Sequence, residues 1–167
     1  MKTRSALLLC AVIGFALQPS CASKDAISIS GTVTNPSVAV AQNGLVTTVS
    51  GSFDLFLELG SRASDATDVG YTSFSLLKAS DNKEVLSSPL SVKGSAASPI
   101  HLNPGETSTV HFTIGNSASK PQETAKGDYA TVCESGQLIV TATITDSFNG
   151  GQGQTISSAP FQPSGCP

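Results

Sequence analysis

Leu138-Ile139-Val140-Thr141-Ala142-Thr143-Ile144, followed by Asn149-Gly150 and then by Ile156 and Phe161, is the stretch that decides the fold. Leu138, Val140, Ala142 and Ile144 share one parity. Successive side chains of a strand point to opposite faces, so this period-2 pattern predicts a strand with one buried side. Asn149-Gly150 predicts a tight hairpin turn of type I′, whose two central residues both need φ > 0. A turn centred there pairs Ile144 with Thr155, Val140 with Ala159 and Leu138 with Phe161. The same register brings Cys133 beside Cys166, although the cysteines played no part in choosing it.

The alternation extends upstream. Ile27, Ile29 and Val33 alternate with Ser28, Ser30 and Thr32. Val38 and Val40 follow Asn35-Pro36, which predicts a turn, and Asn43-Gly44 predicts a hairpin. Val49, Phe53, Leu55, Leu57 and Leu59 share one parity along a long strand, with Gly51 as a candidate bulge. Further strands are expected at 71–79 and 85–92, the latter at a sheet edge because Pro89 cannot donate to a ladder. Val110, Phe112 and Ile114 alternate with Thr109, His111 and Thr113. Polar loops are expected at 61–68 and 117–126, and no helix anywhere in 22–167. These patterns predict an all-β protein with Phe53, Leu55, Leu57, Val110, Phe112, Ile114, Leu138, Val140 and Ile144 in its core.

Residues 1–21 read differently. Lys2 and Arg4 precede an apolar run from Ala6 to Leu17 that is too short to span a membrane as a helix. This is the pattern of an export signal, leaving 22–167 as one domain. Leu17-Gln18-Pro19-Ser20-Cys21 resembles a bacterial lipobox. The resemblance implies acylation of Cys21 and a lipid anchor in a cell-envelope membrane, the outer membrane where the host has one. The other reading is an ordinary cut after Ala22, giving a secreted or periplasmic protein. Cys10 leaves with the signal, so Cys133 and Cys166 are the pair left for a disulfide in an oxidising compartment. Losing Lys2 and Arg4 leaves seven basic residues against twelve acidic ones. That balance argues against nucleic acid and against a polybasic grip on anionic lipid.

No nucleophile elbow, metalloprotease motif or phosphate-binding glycine loop occurs. The sequence therefore implies no enzyme, cofactor or metal. His111 falls on the polar parity of its strand, which predicts exposure. Glu58, Asp65 and Asp68 stand around loop 61–68, which leaves calcium there an open question.

Leu102-Asn103-Pro104-Gly105-Glu106-Thr107-Ser108-Thr109-Val110-His111-Phe112-Thr113-Ile114 resembles the Pro-Gly turn and strand of bacterial immunoglobulin-like and fibronectin-III-like modules. Gly127-Asp128-Tyr129 looks like the turn and Tyr before their penultimate strands. Tyr129 lies four residues before Cys133, where an antibody-type tyrosine corner has two. The resemblance implies an antiparallel immunoglobulin-like β-sandwich of about seven to nine strands. It also implies a non-catalytic envelope module that binds a protein or a glycan. Leu55-Phe56-Leu57-Glu58-Leu59 loosely resembles late-embryogenesis-abundant sandwich domains, which implies a structural or stress-protective role instead. Protease inhibition is a third expectation.

Overall fold

The computed structural model describes residues 28–117, 120–148 and 150–167. The export signal, Cys21 and Asn149 lie outside them. Among the described residues the chain forms two antiparallel sheets. One has the order β1 (Ile29–Asn43), β2 (Val46–Leu59), β6 (Thr107–Ile114), β4 (Val92–Gly94), with β7 (Gln122–Ala125) also on β2. The other runs β5 (Ile100–Leu102), β3 (Thr67–Lys78), β8 (Leu138–Asp146), β9 (Gly153–Ser157). In chain order β1, β2, β6 and β4 occupy the A, B, E and D places of a constant-type immunoglobulin sandwich, and β3, β8 and β9 those of C, F and G. The fold is an antiparallel immunoglobulin-like β-sandwich. β6 and β7 lie end to end along β2, pairing with Gly51–Glu58 and with Val46–Val49.

Alternation explains the core. Val49, Phe53, Leu55, Leu57 and Leu59 are all fully buried, facing Val69, Leu138, Val140 and Ile144 of the opposite sheet. All nine residues expected in the core are buried. Phe53 stacks on its cross-strand neighbour Phe112 with centroids 5.1 Å apart, and Tyr71 meets Phe112 edge-on at 5.0 Å. Phe74 completes the cluster, 4.8 Å from Phe112. Offset and edge-on contacts suit the ring quadrupole and add roughly 0.5–1.5 kcal/mol per pair beyond burial.

Several local expectations need correction. Asn35-Pro36 is not a turn between strands. β1 runs straight through it, with a register shift between Thr34 and Ser37 and Asn35 at φ +51°. A bulge admits proline because the ladder is already interrupted there. Gly51 forms no bulge; it pairs with Val38, just past the bulge of β1, and a Cβ on it would stand 1.9 Å from the Ser37 carbonyl oxygen. The first hairpin turns at Gly44-Leu45, one residue late, since Asn43 pairs with Val46. Only Gly44 has positive φ, so a single glycine at the first central position suffices. Residues 85–91 are irregular, with Pro89 in them, and the strand begins at Val92. Part of loop 117–126 is β7.

A helix is present where none was expected. α1 (Asp128–Glu134) has seven residues, too few to show a helical period, and turns Asp128 and Val132 inward one helical turn apart. The last hairpin also differs. β8 pairs one residue out from the expected register, Ile144 opposite Gln154 and Ala142 opposite Ile156. The chain then recovers it, with Leu138 opposite Phe161. The loop at its tip is longer than two residues. Gly150 and Gly151 both have positive φ, and the Gly151 N–H reaches the Asp146 carbonyl at 3.0 Å.

Past β9 the chain crosses to the first sheet as a strap, 158–164. Ser158 bridges Val33 and Ser164 bridges Ala39, both parallel. The Ser164 N–H donates to the Val38 carbonyl (2.9 Å) and the Val40 N–H to the Ser164 carbonyl (3.0 Å). The Cys133 and Cys166 sulfurs are 2.11 Å apart and their Cα atoms 5.4 Å. The disulfide therefore ties α1 to the end of the strap. It does not close the two strands of the last hairpin, because Cys133 is helical. The Tyr129 hydroxyl donates to the Gly165 carbonyl (2.9 Å) on the same seam.

Candidate functional site

The outward face of the first sheet carries a hydrogen-bonded chain across three strands. Asp54 of β2 pairs directly with His111 of β6, both on the polar parity. The two are cross-strand neighbours, close enough for side chains to meet. His111 Nδ1 lies 2.7 Å from Asp54 Oδ1. An ionised carboxylate only accepts, so Nδ1 carries the proton. The β1 bulge turns Asn35 over the strand, and its Nδ2 donates to Asp54 Oδ2 at 2.8 Å. The Asn35 hydrogen bond and then the His111 hydrogen bond hold the Asp54 carboxyl below its ordinary range, against the smaller opposing pull of burial. His111 itself is exposed, as its parity predicted.

The same face continues onto the edge strand. Ser95 stands opposite His111, donating its N–H to the His111 carbonyl (2.8 Å) and accepting the His111 N–H on its Oγ (3.0 Å). Lys93 is paired with Thr113. Lys93, Gly94, Ser95, His111 and Thr113 enclose a shallow hollow of about 190 Å³. Sequence reasoning placed His111 at the surface but missed its neighbours. Finding them needs the β2–β6 and β4–β6 registers, which no turn motif announces.

The residues around loop 61–68 do not converge. Asp68 takes His101 Nδ1 across β3 and β5 at 2.9 Å, and Asp65 accepts the Ala66 N–H at 2.8 Å. Glu58 lies on the outward face of β2. That end of the sandwich is nevertheless well knit. Thr67 Oγ1 lies 2.7 Å from Ser147 Oγ, and the Leu59 N–H reaches the Glu106 carbonyl at 3.0 Å. Phe148 is exposed beside them. Glu106 accepts from the backbone N–H and the side-chain amide of Asn103, which hold its carboxyl below the usual range.

Asp128 is the one buried aspartate of α1. Its Oδ2 accepts from Ser87 N (3.0 Å), Ser87 Oγ (2.9 Å) and Thr124 Oγ1. Burial is the largest single influence and raises its pKa, but the hydrogen bonds from Thr124, Ser87 and Ala125 together outweigh it, so the net shift is downward. The group anchors α1 to β7 and to 85–91, a structural duty.

No protein-family model matches the sequence, and no curated protein matches it. Among solved structures, the chain is similar to an ASH/PapD-like domain of human CEP192, PapD-like domain 7. The two are 7% identical, the match covers 92% of this chain and 99% of that one, and the TM-score is 0.36. The immunoglobulin-like assignment rests on strand order and pairing.

Proposed function

We propose that this chain is an exported, non-catalytic binding module of a cell envelope, held at a membrane through acylated Cys21 or released after Ala22, that binds an envelope protein or glycan. The single observation that carries this reading is the Asn35–Asp54–His111 chain. Three strands aim polar side chains at one another on an open sheet face, which holds an imidazole in one orientation toward solvent. Such preorganisation lowers the cost of binding. The leader pattern and the two-cysteine arithmetic support an address outside the cytoplasm. Ser95 supports a binding role over hydrolysis, because its Oγ accepts the backbone N–H of His111 and, among the described residues, no hydrogen bond ties it to a base.

A glycan array and immobilised envelope fractions, probed with the purified protein, test the reading. Saturable binding that falls at least about tenfold in Asp54→Ala, a loss of ~1.4 kcal/mol, is the expected result. Binding that survives the substitution, or no saturable binding at all, rejects it. Fractionation of Cys21→Ser tests the anchor separately: equal membrane retention rejects acylation.

A further inference from the structure

The hollow on the edge of the first sheet gathers several hydrogen-bond donors. Ser95 Oγ has already accepted the His111 N–H, so its hydroxyl proton is left to donate. The Thr113 hydroxyl and the Lys93 ammonium make no hydrogen bond or ion pair among the described residues, and Lys93 can only donate. His111 gives Nδ1 to Asp54, which leaves Nε2 as its outward polar atom. With Nδ1 carrying the proton, Nε2 is an acceptor in the neutral ring and a donor only in the doubly protonated one. The Asp54 oxygens are engaged by Asn35 and His111.

Resting on the binding role proposed above, we infer that the hollow formed by Lys93, Ser95, His111 and Thr113 binds an oxyanion, the acidic group of a glycan. A ligand rich in acceptors complements the Lys93 ammonium and the Ser95 and Thr113 hydroxyls. A charge-assisted bond from lysine is roughly twice as strong as a neutral one. A sulfate, phosphate or carboxylate group fits a space of about 190 Å³, with the rest of the sugar lying over the open sheet. Phe56, outward on β2 next to Asp54 and flanked by Thr32 and Thr109, offers that sugar an apolar contact.

The test is a titration of the isotope-labelled protein with sodium sulfate and with sodium phosphate, against sodium chloride at equal ionic strength, followed by amide NMR. Saturating shifts confined to Lys93–Ser95, His111 and Thr113 are expected. Lys93→Gln, an exposed substitution, weakens them about five- to tenfold. Shifts spread over the surface, or an unchanged midpoint in Lys93→Gln, overturn the site. Sulfated, phosphorylated and uronate oligosaccharides then identify the acid, with the tightest binder expected to lose most in Lys93→Gln. Binding of neutral glycans alone through Asp54 and His111 would overturn the oxyanion site while leaving the binding module standing. No glycan binding of either kind would remove both.

Discussion

At the scale of single residues, backbone geometry and buried charge set the sharpest expectations. Gly51 combines φ +149° with a Cβ position 1.9 Å from the Ser37 carbonyl. No side chain fits there unless the bulge moves. Gly51→Ala is expected to cost about 2–4 kcal/mol, seen as a lowered denaturation midpoint. Asp128 sets an acid limit. Its carboxyl titrates lower in the folded protein than the ordinary 3.8. It therefore contributes stability that is fully present above that value and is lost as pH falls through the lower, folded one. Melting temperature against pH should drop on the acid side, and Asp128→Asn should flatten that drop while lowering stability at neutral pH. The sequence revealed neither residue's role. Gly51 could be seen as irregular, but its partner across the sheet could not. Asp128 was legible only as part of a turn, because its donors come from Ser87, Thr124 and Ala125 on other segments.

At the scale of elements, parity was the reliable guide and register was not. β2, β6 and β8 each bury the face their alternation predicts, which is why Phe53, Phe112 and Val140 are all buried. One buried face suffices to determine which side chains turn inward. The elements that escaped are short: β5 with three residues, β7 with four and α1 with seven. None holds enough periods to be read. The offset in the last hairpin came from the extra glycines after Asn149, which lengthen the loop and slide β9 by one residue. The aromatic cluster is the element-level test. Phe112→Ala removes the partner of Phe53, Phe74 and Tyr71 at once and should cost about 3–5 kcal/mol. Urea denaturation at an unchanged m-value would show that the loss is stability alone.

At the scale of the whole molecule, the disulfide and the strap act as one unit. In the chain-entropy model a closed loop of about 34 residues stabilises by roughly 3–4 kcal/mol. Reduction should do more than lower stability. The strap meets β1 through the Ser164 and Val40 N–H groups and the bridge at Ser158, so 156–161 and the strap should lose hydrogen-exchange protection before β2 and β8 do. Simultaneous loss everywhere would count against that order. The cysteine pairing was legible from the last hairpin, yet for a geometry that the structure modifies. The two residues meet because a helix and a strap converge, not because two strands run on in register.

The strap has a consequence for life among identical copies. β1 is the longest strand, fifteen residues, and it borders its sheet. An unprotected border of that length is a template onto which a neighbouring chain can add a strand, the first step of aggregation. Here the bulge at Asn35-Pro36 kinks that border, and the strap takes up its backbone groups at Val38 and Val40. The opposite border is β4, only three residues long. A sheet bordered in this way does not run on from one molecule into the next when many copies stand close together. Cys166→Ser, by loosening the strap, should make the protein associate with rising concentration, and sedimentation velocity would reveal it.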